Sequence, residues 1–224
     1  MSRPPRRVKA SRPKATQKST RERILDIAET LFSEFSYEGV SLRELARQAD
    51  VDLALLKYHF GDKLRLFEQV LSRRVEAMRN DRLEALEACR SRWRGTPPPI
   101  EDVIDTFMRP FLVLSLEGGG GWKAYMQLVA KISIHPQWAA VLSRLFDPTA
   151  RHFLGAMRMA LPQATEEQIQ WSYQLMLANL LFVFAETGRI DLLSNGLCRA
   201  TDLEAAYEHM KRYVIGGVKA CAVG

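Results

Sequence analysis

Apolar residues along this chain recur at intervals of three and four, and no stretch alternates apolar with polar as a half-buried strand would. The first run is Ile24, Ile27, Ala28, Leu31, Phe32 and Phe35. It follows Ser19 and Glu22 at capping-box spacing, so a helix is predicted to begin there and to stop at Gly39. Ser41 and Glu44 form a second capping box, ahead of a two-turn apolar face of Leu42, Leu45, Ala46 and Ala49. Asp52 is placed to cap a third short helix, Leu53 to His59, ending at Phe60 and Gly61. Asp62 then caps a longer helix with the stripe Leu64, Phe67, Val70, Leu71, Val75 and Met78, running to about Asn80 or beyond.

The second half continues in the same period. Pro97, Pro98 and Pro99 punctuate the chain before a stripe of Ile100, Val103, Ile104, Phe107, Phe111 and Leu114, in which Pro110 predicts a kink. Gly118 to Gly121 reads as a flexible break before a helix containing Trp122, Tyr125, Met126 and Val129. His135 and Pro136 mark another boundary, and a long helical stretch with Pro148 inside it reaches Leu161. Thr165 and Gln168 make a third capping box ahead of Ile169 to Ala185, which is apolar on nearly every face and must be covered on all sides. Thr201 is placed to cap the last helix, with Leu203, Ala206, Tyr207, Met210 and Val214. The expected fold class is therefore all-α.

Four helices with so short a link between the second and third suit a helix-turn-helix, whose second short helix enters a major groove. Spacing alone suits any small helical bundle equally. Charge changes that picture. The formal charge is +6, yet residues 1–23 carry nine Lys or Arg against Glu22 alone. Residues 1–18 mix Pro, Ser, Thr and bases without periodicity, so they read as a disordered basic arm. Such an end suits a polyanion-binding arm, a targeting peptide or a solvated tail. No apolar segment follows it, which argues against a secretory signal, and Leu175 to Ala185, interrupted by Asn179, is too short to span a bilayer. A cytoplasmic protein without membrane contact is expected.

Candidate chemistry narrows the choice further. Cys89, Cys198 and Cys221 are odd in number and lack zinc-site spacing, and His59, His135, His152 and His209 are scattered, so free thiols, no metal and no cofactor are expected. No phosphate-cradling Gly loop, nucleophile elbow or productively spaced carboxylate pair is present, which argues against an enzyme.

From Thr20 to Phe67 the sequence resembles the TetR/AcrR family of transcriptional regulators. The resemblance rests on Ile24 to Phe35, on Gly39, Val40, Ser41, Leu42, Leu45, Ala46 and Val51, and above all on Leu56 to Leu64 with Phe67. It implies an N-terminal three-helix helix-turn-helix domain, residues 19–65, and a C-terminal helical ligand-binding and dimerisation domain, residues 66–224. It also implies that Ser41, Arg43, Tyr58, His59 and Lys63 contact the backbone of a double-stranded DNA operator. Lys57, at the exposed end of the same helix, is a candidate for a base or phosphate contact. Leu56 and Phe60 are expected to face the core, and Gly61 to permit the chain reversal. Asp50 replaces the small residue, often Gly, that usually precedes Val51, and Leu53 and Leu55 stand where relatives often carry polar residues, leaving fewer side chains to read base edges. The basic arm is expected either to follow the phosphates or to remain solvated.

In the second domain the resemblance is weaker. It implies that the last two helices pair with those of a second copy, a homodimer that would cover Leu175, Leu180, Leu181, Phe182 and Phe184 and read a palindromic operator. Phe107, Phe111, Trp122, Tyr125 and Met126, with Phe153 and Met176, suit either ordinary core or an apolar ligand cavity. His152, Arg151, Gln127 and Asn179 could orient a guest. The region from Ile100 to Ala185 faintly resembles fatty-acid-responsive regulators of the PsrA kind, which points to acyl or acyl-CoA effectors. A ligand-released repressor is the expected outcome, with the fourth helix as the lever between domains and the glycine run as a hinge at the pocket entrance.

Overall fold

The computed structural model describes residues 18–119 and 121–222. The predicted basic arm lies outside these residues except for Lys18. Eleven α-helices follow one another among the described residues, and no strand occurs there. They are α1 (Thr20–Gly39), α2 (Leu42–Gln48), α3 (Leu53–Phe60), α4 (Lys63–Ser72), α5 (Val75–Arg92) and α6 (Ile100–Glu117). Next come α7 (Trp122–Ile132), α8 (Ala139–Ala160), α9 (Glu166–Phe184), α10 (Arg189–Leu193) and α11 (Leu203–Cys221), with a 3-10 turn, Pro136–Trp138, leading into α8.

Local capping explains most of the starts. Ser19 with Glu22 and Thr165 with Gln168 form complete capping boxes on α1 and α9. Ser41 Oγ accepts from Glu44 N on α2, but the Glu44 carboxylate turns to Arg47 and Gln48, so this box is only half made. Asp62 caps α4 through Arg65 N, whereas Asp52 makes no side-chain cap on α3. Asp202, rather than Thr201, caps α11. Between α2 and α3, Asp50 N bonds to Arg47 O and Val51 N to Ala46 O, a Schellman motif that leaves Asp50 at φ 51°. A glycine would meet no steric penalty there, which is the physical meaning of the small residue common at this position.

Three expectations about helix lengths change. The fourth predicted helix is divided at Arg73 and Arg74 into α4 and α5. No Gly or Pro marks the break; instead both arginines reach back to α1, Arg73 to Asp26 at 2.6 Å and Arg74 to Glu29 at 2.7 and 2.8 Å. Within α1, Ser36 adopts φ 60°, and the bend lays the Tyr37 ring against Phe67 and Trp138. Between α9 and α11 the chain forms the short α10, which periodicity does not indicate. Pro110 and Pro148 lie inside α6 and α8, each of which continues through its proline.

Two apolar cores result. One is built from Ile24, Phe32, Leu45, Leu56, Phe60 and neighbours on α1 to α3, continues through Leu66 to Leu71 of α4, and takes in Leu128, Ile132 and Trp138 from farther along the chain. The other joins α5, α6, α8, α9 and α11 around Phe107, Tyr125, Phe153 and Phe184. Helix α7 serves both, with Leu128 and Ile132 in the first core and Tyr125, Met126 and Val129 in the second. Full burial of each large side chain contributes about 1.5–3 kcal/mol, so this shared helix fastens the two cores firmly. Leu180 and Phe184 are already buried within one chain and Leu181 is half-buried, leaving Leu175 and Phe182 of the five expected to need a partner.

Candidate functional site

The short helices α2 and α3 present one outward surface. Leu56 and Phe60 are buried and fix α3 by its inner face, so Lys57 and Tyr58 must point outward. Tyr58 is 84% exposed, which excludes a core role, and its ring meets His59 edge-on at 5.4 Å. His59 is half-buried beside Phe60. Ser41 and Arg43 are exposed at the start of α2; the Ser41 oxygen caps the helix as an acceptor, leaving its O–H to donate. Lys63 is half-buried, with Nζ 4.2 Å from the centre of the Tyr37 ring and 3.5 Å from Glu38 O. Burial lowers its pKa, and Glu38 opposes that shift. Gly61, at φ 75°, makes the reversal into α4 and donates to Lys57 O. Leu55 is exposed on the same surface and Leu53 packs partly against the core. These donors are of the kind that hold phosphate, with few aimed to read bases.

A cavity of about 790 Å³ opens between α6, α7, α8 and α9. That is within the usual range for small-molecule sites. Phe107, Phe111, Phe146, Leu177 and Leu181 supply apolar wall, and Asn179 also lines it. The remaining residues singled out in the sequence lie elsewhere. Met126, Phe153 and Met176 are buried in the second core. Tyr125 is buried there too, with its hydroxyl donating to Leu71 O at 2.6 Å, and burial first, then Glu29, pushes its pKa up. Trp122 is half-buried with the Arg74 guanidinium 4.8 Å over its ring, and His152 is exposed on α8. Gln127 donates to Glu186.

Sequence reasoning missed Arg82, which lines the cavity from α5 at 4% exposure. The signal was present: Met78, Arg82, Leu86 and Cys89 form the one buried stripe of α5 at helical spacing, with an arginine inside it. Arg82 Nε donates to Phe107 O at 3.1 Å, and the guanidinium lies 4.0 and 4.6 Å from the centres of the Phe107 and Phe111 rings. Burial pushes its pKa down to about 10, so it remains a cation at neutral pH.

The junction between the two cores is polar as well as apolar. Glu29 of α1 is 1% exposed and is held bidentately by Arg74. A side-chain carbon on Gly121, the N-cap of α7, would collide with that pair. Lys131 of α7 lines the cavity and donates to Ser33 O of α1 at 2.5 Å. Farther along, Gln137 bonds to Glu38 and Arg144 to Glu68. Gly121 stands at this junction, and Gly118, Gly119 and Gly121 are not among the residues that line the cavity.

Fold and surfaces together define a helix-turn-helix DNA-binding regulator with a larger helical second domain. Residues 24–70 match the family model described as bacterial regulatory proteins, tetR family, and residues 105–217 match the tetracyclin repressor-like C-terminal domain. The chain belongs to the TetR family of transcriptional regulators. Over 54 residues it is 39% identical to the HTH-type transcriptional regulator YttP of Bacillus subtilis (strain 168), a match spanning 24% of this chain and 26% of that protein. Over 49 residues it is 41% identical to IcaR of Staphylococcus aureus (strain Newman), the negative transcriptional regulator of the biofilm operon icaADBC, spanning 22% and 26%. The chain thus spans about a quarter of the length of the curated relatives it matches. Among solved structures, a tetR family regulator from Shewanella sp. PV-4 superposes with TM-score 0.59 at 15% identity, covering 88% of this chain and 98% of that one. The ketosteroid transcriptional regulator KstR2 of Mycobacterium tuberculosis gives TM-score 0.59 at 15% identity, covering 92% and 98%. Likeness at this identity speaks for the fold alone. No helix among the described residues is long and apolar enough to cross a membrane.

Proposed function

We propose that the protein is a ligand-released repressor, working in the cytoplasm, that binds a palindromic operator as a homodimer. Ser41, Arg43, Lys57, Tyr58, His59 and Lys63 form the DNA-contacting surface of residues 19–65, and residues 66–224 bind the effector and a second copy. The observation that carries this reading is the double duty of α7: the helix that lines the cavity through Val129 and Lys131 also packs Leu128 and Ile132 into the core of the DNA reader. A guest that shifts α7 changes the spacing of the two recognition helices in a dimer, and so weakens DNA binding by its differential affinity for the two arrangements. The lever in this reading is α7 with the junction, in place of one rigid fourth helix, and the division of that helix at Arg73 and Arg74 supports it.

Dimerisation through α9 and α11 is supported by an uncovered stripe on α9. Trp171 is 59% exposed, Leu175 is exposed and Phe182 is 67% exposed, and all three fall on one side of the helix. On α11, Tyr213 is exposed, and Gly216 and Gly217 leave open space for a close approach. The effector is a small, largely apolar molecule; straight acyl chains, free or as coenzyme A thioesters, fit the apolar wall of Phe107, Phe111, Phe146 and Leu177.

Selection of binding sites from a random duplex library, followed by anisotropy titration at two salt concentrations, tests the reading. A two-fold symmetric sequence should be enriched, with affinity falling as salt rises. Tyr58→Ala should weaken binding about tenfold or more while leaving stability within about 0.5 kcal/mol, because an exposed side chain is removed. Failure to enrich any sequence, or an affinity insensitive to both salt and Tyr58→Ala, would overturn it.

A further inference from the structure

We infer that the cavity takes a ligand bearing a carboxylate, and that Arg82 is the residue that binds this acidic head while the apolar body lies along Phe111, Phe146 and Leu177. The inference rests on the proposed effector role of the cavity and adds the chemistry of its guest.

Burying a guanidinium is costly unless its donors and its charge are both answered. Arg82 is answered only in part. Its Nε is bonded to Phe107 O, and its charge rests on two ring faces, yet Nη2 has no hydrogen-bond partner. No carboxylate among the described residues forms an ion pair with it, in contrast to Arg74, Arg109 and Arg158, each held by Glu29, Asp105 and Glu166 respectively. Three other polar groups on the same wall are committed within the protein. Lys131 donates to Ser33 O, Asn179 to Leu175 O, and Asp147 accepts from Ser143. Arg82 is thus a buried cation with a free donor, facing a cavity whose wall is mostly apolar but also carries Lys131, Asp147, Tyr173 and Gln174.

A planar carboxylate suits a guanidinium with a free N–H, because the charge-assisted bond is short and directional. Tyr173 shares the wall, with its ring 5.3 Å from that of Phe107. Burial holds its hydroxyl at a pKa of about 12, against the pull of Arg82, so it stays protonated and can donate to the same head. A thioester or an alcohol with the same body answers the bond but leaves the buried charge unpaired. The site therefore discriminates by head group: a free acid is favoured over its uncharged counterparts.

Displacement of the uncharged fluorophore N-phenyl-1-naphthylamine from the full-length protein tests this, using acid and alcohol pairs that share a body. The pairs are dodecanoate with dodecan-1-ol, and 1-naphthylacetate with 2-(1-naphthyl)ethanol. At least one acid should displace the probe at a concentration about tenfold or more below that of its alcohol. Arg82→Met should abolish that preference without weakening the alcohol, and Arg82→Lys should retain part of it. Thermal unfolding supplies a second readout without the fluorophore: the acid should raise the midpoint of the native protein more than that of Arg82→Met. Equal displacement by acid and alcohol, or an acid preference that survives Arg82→Met, would overturn the anionic head while leaving an apolar effector site standing. No uptake of fluorophore, together with no thermal shift from any of the four compounds, would overturn the cavity reading and this inference with it.

Discussion

Gly121 and Arg82 hold their places for opposite physical reasons. Gly121 is required by what surrounds it: its φ of 89° is strained for any other residue, and the space where a side chain would begin is occupied by Glu29 and Arg74. Gly121→Ala should therefore cost about 2 kcal/mol or more in urea unfolding, since it strains the backbone and parts a buried ion pair together. A loss below about 0.5 kcal/mol would mean that the junction relaxes freely and couples the cores weakly. Arg82, conversely, is costly where it stands, so its presence calls for a ligand rather than a packing explanation. The role of Gly121 is not marked in the local sequence, and that of Arg82 is marked only by its place in an otherwise apolar stripe of α5. The glycine run reads as a loose linker until α1 is folded against it, and Arg82 reads as one more surface charge until the stripe Met78, Arg82, Leu86 and Cys89 is seen to face inward. Asp50 was more legible, because the departure from a small residue is visible before Val51, and the structure supplies its cause in the left-handed turn at φ 51°.

Among the elements, the helices with complete local signals begin where the sequence places them: α1 and α9 at their capping boxes, α4 at Asp62. The breaks imposed from a distance are those it does not announce. The gap at Arg73 and Arg74 coincides with ion pairs to residues more than forty positions away, and the bend at Ser36 accompanies edge-on packing of Tyr37 against Phe67 and Trp138. Trp138 shows how far such effects reach. It belongs in sequence to the second domain, but its ring lies 4.5 Å from that of Phe67, inside the core of the DNA reader. Trp138→Ala should lower the unfolding free energy by about 3–5 kcal/mol. Amide hydrogen exchange should locate the effect, with protection falling more in α1 and α4 than in α9 and α11. Equal loss everywhere would show a single cooperative unit with no preferential tie through this ring.

At the scale of the whole molecule, ion pairs tie distant helices and set a response to acid. Burial raises the pKa of Asp26, but bonds from Lys18 and Arg73 outweigh it and hold the carboxyl below its ordinary range. Asp105 behaves alike: burial raises it, while Arg109, Tyr207 and Lys211 lower it further, joining α6 to α11. A carboxylate whose folded pKa is depressed contributes stability in full above its unfolded value, and that contribution is lost as pH falls through the folded one. The thermal midpoint should accordingly fall steeply below about pH 4. Asp105→Asn should lower the midpoint at neutral pH and flatten the acid descent; an unchanged acid slope would show that the Asp105 pairings add nothing to stability. By itself the sequence determined an all-helical chain with inward Leu56 and Phe60, because periodicity and capping act within a few residues, and its resemblance to the TetR family implied the helix-turn-helix. Only the tertiary structure decided that α7 serves two cores, that Phe107 and Phe111 border a cavity while Phe153 and Met176 fill a core, and that Arg82 faces that cavity with a donor unpaired. Those outcomes depend on which faces meet across the fold, and side chains of the same size and polarity satisfy either arrangement until their neighbours are in place.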